Sequence, residues 1–350
     1  MHTNYFDEVT SFKNLMKAAH ECERGVRWKC STQMFEMKQS QWCSNLSKQL
    51  RNGTYKSKKF HEFDIVERGK PRHIQAVHIS DRTVQKSLNN NALKPLILPK
   101  LIYDNSASVK GKGTEFAVRR IRQHLASHYR KHGRNGGILI MDIHDYFGSI
   151  DHDILFEQLE RVVPDERVLK LTKYFIDQFP RGIGLGSEIC QTCAIFYPND
   201  IDHMIKEKLH IQEYARYNDD SYIIHEDIEY LKECLNIVRE KYNSLSLSMN
   251  NKRTHIIPFN GGTFHYLKRR FCVTESGKII MRPERSNITK ERNKVKKHAK
   301  KLNQGEIDSA AVDQSYKSWR SYASRCDAYR TLTGMDNLYN KLMIEEWRQQ

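Results

Sequence analysis

A short apolar segment that ends on an aspartate is the feature that most limits how this chain can fold. Residues 138–141 follow the pair Gly136-Gly137, are entirely apolar, and lead directly into Asp142. A short apolar run bounded by glycines is typical of a buried strand. The Asp142 carboxylate then lies at the mouth of that strand, where it is better placed to hold an ion than in mid-strand.

A second acidic element lies about 75 residues further along the chain. Two β-rich stretches flank the tetrapeptide Tyr217-Asn218-Asp219-Asp220, which predicts a hairpin with the two aspartates at its turn. Adjacent carboxylates repel each other, and when buried they need a compensating charge, which a divalent cation supplies. Because Asp-Asp pairs are also common in surface turns, the pair alone does not define a site.

The charge balance indicates a polyanionic partner. Lys and Arg number 58 against 42 acidic residues, which gives a formal net charge of +16. A folded domain this basic is expected to bind nucleic acid, although a generally cationic soluble surface is the alternative. The sequence has no run of eighteen apolar residues and no amphipathic segment suited to a membrane surface, and its first ten residues lack the apolar stretch of a signal peptide. We therefore expect a cytoplasmic protein with no membrane partner.

The eight cysteines are expected to be reduced in the cytosol. Cys190 and Cys193 form a single CxxC, but no second such pair or spaced histidine pair completes a zinc site. We interpret these two cysteines as small core residues.

The order of predicted elements favours an α+β fold with a basic helical appendage. In chain order the sequence predicts amphipathic helices over 11–52, a hairpin over 55–79 with its turn at 68–71, helices over 81–100 and 115–132, a strand over 138–141, a helix from about 154, a helix over 189–209, a hairpin over 214–225, a helix over 226–243, a strand near 245–249, two strands across 254–282, and two helices within 307–346.

The two acidic elements together resemble the catalytic motifs of reverse transcriptases. Residues 141–152 read as a strand ending in Asp, then an aromatic, then Ser-Ile-Asp-His, which is similar to motif A, and Tyr217-Asn218-Asp219-Asp220 is similar to motif C, Tyr-x-Asp-Asp. Further segments resemble the fingers of bacterial retroelement enzymes, motif B, motif D and the primer grip, namely residues 70–74 with 81–85, 182–202, 247–254 and 266–268. The resemblance implies a right-hand polymerase fold with fingers over 1–135, a palm over 136–284 whose antiparallel sheet carries YxDD, and a helical thumb over 285–350.

The resemblance also implies an activity, namely RNA-directed DNA polymerisation that makes cDNA by two-metal phosphoryl transfer. Two Mg²⁺ ions, with Mn²⁺ as an alternative, would be held by Asp142, Asp219, Asp220 and the backbone carbonyl of Ile143. Such ions prefer hard oxygen ligands and take only a few of them from protein. The implied partners are an RNA template, a DNA or RNA primer, and dNTPs.

Substrate contacts follow from the same resemblance. Phe147 would lie beneath the incoming sugar and exclude a 2′-hydroxyl, with plain core packing as the alternative. Lys70 and Arg72 would bind the triphosphate, unless they belong to an ordinary charged turn. Lys252 would protonate the leaving pyrophosphate as a motif D lysine does, although Arg253 could occupy the same position.

The remaining implied contacts involve nucleotide and duplex. Leu185, Gln191 and Tyr217 are assigned to nucleotide binding, and Lys268 lies in the segment similar to the primer grip. Cations on a predicted thumb helix would lie against the duplex, with a solvated helix face as the alternative; these are Lys290, Arg292, Lys294, Lys296, Lys297 and Lys301. The aromatic residues Tyr316, Trp319 and Tyr322 are expected in the thumb core rather than in base stacking.

Motif B departs from the pattern of many reverse transcriptases, which begin it with Pro-Gln-Gly. Residues 184–191 read Gly-Leu-Gly-Ser-Glu-Ile-Cys-Gln, so Leu185 replaces the glutamine and Gln191 follows where proline often stands. This resembles enzymes of diversity-generating retroelements and bacterial lineages that act in phage defence, and we hypothesise that Leu185 and Gln191 loosen nucleotide selection.

Three functional readings follow. The preferred one is a diversity-generating enzyme that works with a basic accessory protein and a structured template RNA. The first alternative is a phage-defence enzyme that copies a non-coding RNA or synthesises without a template. The second is a non-catalytic nucleic-acid-binding protein, which predicts the loss of a metal carboxylate, whereas all three are present.

Overall fold

The computed structural model of the chain describes residues 4–67, 70–184 and 186–347. Within them it is built from fifteen α-helices and nine β-strands. The helices are α1 Tyr5–Thr10, α2 Phe12–Glu23, α3 Cys30–Met37, α4 Gln39–Arg51, α5 Ile79–Leu88, α6 Lys94–Ile97, α7 Thr114–His132, α8 His152–Glu160, α9 Glu166–Ile176, α10 Glu188–Phe196, α11 Asn199–His203, α12 Ile228–Ser244, α13 Arg285–Asn303, α14 Ser309–Ala323 and α15 Tyr329–Trp347. The strands are β1 His61–Glu67, β2 Lys70–Ala76, β3 Gly137–Met141, β4 Tyr214–Tyr217, β5 Asp220–His225, β6 His255–Pro258, β7 Phe264–Tyr266, β8 Arg269–Val273 and β9 Ile279–Pro283.

The strands form three sheets. The hairpin β1-β2 stands alone, β7-β8-β9 form an antiparallel sheet of three, and a sheet of four has the order β4-β5-β3-β6. Every residue of β3 is buried, as its apolar sequence predicts. Its register with β6 is antiparallel and pairs Leu139 with Ile256. In this sheet the first acidic motif begins at the carboxyl end of β3, and the second lies at the turn between β4 and β5.

The chain divides into two compact units. The first contains residues 1–117, 141–221 and 233–254, and the second contains 118–140, 222–232 and 255–350. In the first unit, α2 begins at the N-cap Ser11, whose hydroxyl accepts the Asn14 amide, and buries Leu15 and Ala19. In the second unit, the last three helices enclose an apolar cluster formed by Val295, Tyr316, Trp319, Ala323 and Met335.

Several sequence predictions are confirmed. The hairpin, the buried strand, the second hairpin and the two C-terminal helices all form, although residues 68 and 69 of the first turn lie outside the described part of the chain. Tyr316 and Trp319 are buried in the apolar cluster of the last three helices, and Tyr322 packs partly buried against them. Cys190 and Cys193 are buried free thiols, and burial raises the pKa of Cys190 to about 11. No described helix is both long enough and apolar enough to cross a membrane.

Three predicted elements are wrong in detail. The helix expected over 189–209 is three segments, because Pro198 lacks the N–H that a continuous helix needs, and the last segment is a π-helical turn over Met204–Lys208. The strand expected near 245–249 is reduced to one bridge between Ile143 and Met249, since Ser246 adopts a left-handed φ of 57°. The two strands expected across 254–282 are four short ones, β6 to β9.

Candidate active site

Asp142 follows directly after β3 and is almost fully buried. Its backbone is fixed on both sides, because its N–H donates to the Thr254 hydroxyl at 3.3 Å and its carbonyl accepts the Asn250 amide at 2.8 Å. One residue later, Ile143 forms the bridge to Met249. The segment that resembles motif D therefore holds the aspartate of motif A in place.

Asp219 lies in the turn between β4 and β5, and Asp220 is the first residue of β5. The other residue of the turn, Asn218, has a φ of 53°, in the left-handed region that asparagine tolerates better than most residues. The tetrapeptide thus encodes both the tight reversal of the chain and the two carboxylates at its tip.

Asp142 and Asp219 interact electrostatically. The pKa of Asp219 is raised, first because the carboxyl is buried and then because Asp142 lies near it, while Arg253 opposes the shift. Burial and a like charge both disfavour the ionised form of a carboxyl. A cation bound to these two carboxylates would offset both the cost of burying a charge and the repulsion between like charges.

Arg253 and Asn250 contact the two oxygens of the Asp142 carboxylate. Arg253 Nη1 lies 3.2 Å from Asp142 Oδ1, and Asn250 Nδ2 donates to Asp142 Oδ2 at 2.9 Å. The Arg253 side chain is 63% exposed, whereas that of Asp142 is 6% exposed. Sequence reasoning considered Arg253 only as an alternative to Lys252 at the motif D position, and it gave Asn250 no role.

A buried ion pair contacts the β4–β5 turn. Arg216 and Asp202 have side-chain exposures of 1% and 0%, with Arg216 Nη2 at 2.6 Å and Nε at 2.8 Å from the Asp202 oxygens. The same guanidinium donates to the backbone carbonyls of Ile195 at 2.7 Å and Asn218 at 3.3 Å. Tyr214 donates its hydroxyl to Asp202 at 2.6 Å. This network connects α10, α11 and β4 with the turn that carries Asp219.

Sequence reasoning missed this pair, although a signal for it exists. Tyr214 and Arg216 are alternate residues of a strand and face the same side, and Tyr214, Ala215 and Arg216 are all buried. A buried arginine on a buried strand requires an acidic partner. Burial opposes and Asp202 favours the charged form of Arg216, and the pKa is raised overall.

Phe147 lies in a 3₁₀ turn over Phe147–Ser149 that follows Asp142. Its ring is half-buried and meets the buried Tyr146 ring edge-on, with centroids 5.7 Å apart. Its carbonyl accepts the Ile183 amide at 2.9 Å, and a Cβ on Gly182 would lie 2.3 Å from that carbonyl oxygen. Glycine at 182, with a φ of 59°, is therefore needed where motifs A and B meet.

Three other residues predicted to contact the substrate are Gln191, Tyr217 and Lys252. Gln191 accepts the Ser108 hydroxyl at 3.2 Å, and the hydroxyls of Tyr217 and Thr114 lie 3.3 Å apart. Lys252 is exposed, and its amide donates to the Asn250 side chain.

Three of the predicted residues lie wholly or partly outside the described part of the chain. Leu185 lies outside the described residues. Lys70 and Arg72 fall within β2, but their side chains lie outside the described part.

The second unit contains the predicted duplex-binding residues. Helix α13 buries Glu291, Val295 and Ala299 and exposes its cations, which include Lys290, Arg292, Lys294, Lys296 and Lys297. Lys301 is half-buried and pairs with Glu306 at 2.8 Å. Lys268 has a left-handed φ of 63°, and its carbonyl accepts the Tyr322 hydroxyl at 2.6 Å.

The donor set suits a hard divalent ion, although it does not form a complete cage by itself. Within the described residues, no three His, Cys, Asp or Glu side chains converge to hold a metal. Mg²⁺ usually retains several waters and takes one or two carboxylates together with substrate phosphates, so a complete protein cage is not expected. The oxygen ligands of Asp142 and Asp219 fit that requirement.

Comparison with known families shows which family the chain belongs to. Residues 56–296 match the family described as reverse transcriptase (RNA-dependent DNA polymerase). The chain belongs to the reverse transcriptase family. The activity of this family is RNA-directed DNA polymerisation, a nucleotidyl transfer. A comparison with curated proteins gives no significant match.

One solved structure supports the fold, at a TM-score just above 0.5. This reverse transcriptase is similar to telomerase from Candida albicans in complex with a fragment of telomeric RNA, at 11% identity and a TM-score of 0.51, over 89% of this chain and 59% of that one. Telomerase from Candida tropicalis, in its apo form and truncated from its C-terminal domain, is matched at 10% identity and a TM-score of 0.46, over 63% of this chain and 54% of that one. The chain spans less than two thirds of either telomerase. The mixed helical and antiparallel-sheet content is that of a polymerase-type reverse transcriptase domain.

Proposed function

We propose that this reverse transcriptase makes cDNA on an RNA template by two-metal phosphoryl transfer, with Asp142, Asp219 and Asp220 as its metal-binding carboxylates. The observation that supports this assignment is that the half-buried Asp219 carboxyl in the β4–β5 turn lies near the buried Asp142 carboxylate. Burial first, and then this like charge, raise the pKa of Asp219, and carboxylates placed together at such a cost are typical of a functional site. The Ile143 carbonyl follows directly and is proposed as a further ligand.

The chain's own groups would position the reactants. Two divalent ions, when bound, would activate the primer 3′-hydroxyl and neutralise charge on the leaving pyrophosphate. Asp142 and Asp219 would hold these ions and thereby position the reacting phosphate. Asp220 would support the ion at the primer end. Phe147, half-buried at the end of motif A, would lie beneath the sugar. Lys252, which is exposed beside Asn250, would deliver a proton to the pyrophosphate.

Further proposed contacts bind the nucleic acid and the nucleotide. Lys70 and Arg72 would bind the triphosphate, and Gln191 and Tyr217 would line the nucleotide position together with Leu185. Lys268 and the exposed cations of α13 would bind the primer–template backbone. In this proposal residues 1–135 are the fingers, 136–284 the palm and 285–350 the thumb.

For the biological role, we propose error-prone copying in a diversity-generating retroelement. Motif B supports this proposal, because an aliphatic residue at 185 offers the nascent base pair no hydrogen bond. A basic accessory protein and a structured template RNA would be the partners. Sequencing of the RNA and cDNA that copurify with the protein tests this role: recurrent copies of one locus with scattered errors support it, whereas faithful copies of a fixed non-coding RNA favour phage defence.

Primer extension tests the catalytic assignment. With Mg²⁺, a primed RNA template and dNTPs, wild-type protein should extend the primer, and Asp219→Asn should not, because the substitution removes a metal ligand without removing packing. Asp153→Asn is the matched control, since Asp153 is exposed in the first turn of α8. Thermal unfolding verifies that both variants fold. Extension in excess EDTA, or full activity of Asp219→Asn, would overturn the assignment.

A further inference from the structure

Asp142 has a cationic partner within the protein. Arg253 Nη1 lies 3.2 Å from Asp142 Oδ1, and the same guanidinium favours the ionised form of Asp219. One arginine therefore acts on two carboxylates that the proposed mechanism assigns to metal binding. A divalent ion on the same carboxylates would lie next to a positive charge, and the two cations would repel each other.

Arg253 and Asn250 differ in how easily their side chains can move away from the Asp142 carboxylate. Asn250 is fixed by its backbone, since its N–H donates to the Asp142 carbonyl at 2.8 Å and its own carbonyl accepts the amides of Arg253 and Thr254 at 3.0 and 2.9 Å. Arg253 makes its contact through the end of a long side chain that is 63% exposed. The guanidinium can therefore move into solvent with little rearrangement, whereas the Asn250 side chain is short and its Oδ1 also accepts the Lys252 amide at 3.2 Å.

We propose that Arg253 is a competing counter-ion of Asp142, which weakens divalent-cation binding in the substrate-free enzyme and is displaced when the ion arrives. The inference rests on the proposed metal-binding role of Asp142. Its consequence is that the carboxylates are neutralised in the absence of metal, so that the site is loaded chiefly when the metal arrives together with the triphosphate. Arg253 is in this view a positioning residue, because it acts through Asp142.

Titration of the full-length protein with Mn²⁺ tests the proposal, with free Mn²⁺ measured by electron paramagnetic resonance and with no nucleotide or primer–template present. Arg253→Gln should bind Mn²⁺ about two- to five-fold more tightly than wild type, the range that corresponds to losing an ion pair with one exposed partner. Arg253→Lys, which keeps the charge but not the planar guanidinium, should lie between the two.

Lys252→Gln is the matched control, because it removes one positive charge from the adjacent exposed residue. A general electrostatic effect would tighten Mn²⁺ binding equally in both glutamine variants, and that result would overturn the proposal. A gain that is confined to Arg253→Gln and that shrinks as salt is raised would support it.

Two further variants separate this inference from the proposed function. Asp142→Asn and Asp219→Asn should each abolish the Mn²⁺ site that the wild-type protein shows in this titration. If both retain it, the metal-site assignment itself fails. If they lose it while Arg253→Gln binds Mn²⁺ as wild type does, the assignment stands and the competition by Arg253 is refuted.

Discussion

Replacing Asp202 by asparagine removes a charge from the network that contacts the β4–β5 turn and keeps the side-chain volume. The Arg216 guanidinium would remain buried, with 1% exposure, without the carboxylate that contacts it at 2.6 Å. Breaking a buried ion pair by removing one partner costs about 3–5 kcal/mol. We expect a loss of that size in the free energy of unfolding, together with slower primer extension, because Arg216 also donates to the Asn218 carbonyl.

Urea unfolding, followed by tryptophan fluorescence and far-UV circular dichroism, measures the effect, and agreement of the two probes verifies a single transition. The matched control is Glu157→Gln. Glu157 pairs with Arg161 at 2.5 Å, but both side chains are more than half exposed. Exposed pairs contribute no more than about 1 kcal/mol. Replacing both Asp202 and Arg216 by leucine should cost less than the sum of the two single substitutions, because no charge is left buried. If Asp202→Asn costs no more than Glu157→Gln, the reasoning from burial is refuted.

Three further predictions concern substrate choice and binding. Phe147→Val should raise incorporation of rGTP relative to dGTP, because a smaller side chain leaves room for a 2′-hydroxyl; an unchanged ratio would assign Phe147 to packing. Joint neutralisation of four cations of α13 should weaken primer–template binding at every sequence. It should also flatten the slope of log affinity against log salt by about 0.7–0.9 per lost phosphate contact. Neutralising Lys317, which is exposed on α14 and not among the proposed duplex-binding cations of α13, should leave that slope unchanged. The four cations are Lys294, Lys296, Lys297 and Lys301. Leu185→Gln should lower the misincorporation frequency on a defined RNA template, measured by sequencing the cDNA, because polar contacts discriminate more strongly than apolar ones; an error rate that the substitution leaves unchanged would contradict the fidelity hypothesis.

The sequence predicts the elements of this fold where local pattern and tertiary environment agree. Residues 138–141 are apolar and buried throughout, and the hairpin around Asn218 has a turn residue suited to its backbone. The strand predicted near 245–249 is wrong, because the segment forms a single bridge, although Leu247 and Met249 are buried. Alternation of apolar residues reports which side chains face the core and does not report whether a neighbouring strand is in register.

Contacts between distant residues account for most of what the sequence did not reveal at the site. Arg216 pairs with a carboxylate fourteen residues earlier, and Arg253 reaches Asp142 across 111 positions. Neither partner has a motif of its own, because a salt bridge requires only opposite charges that the fold brings together. The carboxylates of motifs A and C were recognisable because their chemistry imposes residue type and local spacing at once.

The contact of Gly182 with the Phe147 carbonyl has a consequence for how such an enzyme can evolve. The Ile183 amide donates to that same carbonyl, so the loop for which we propose a role in base selection and Phe147, for which we propose a role in sugar selection, share one backbone junction. A change of loop conformation at the junction would be transmitted to the Phe147 ring. Alterations in base selection and in sugar selection would then be inherited together, and a lineage that explores new loop sequences must keep glycine at 182 to retain either.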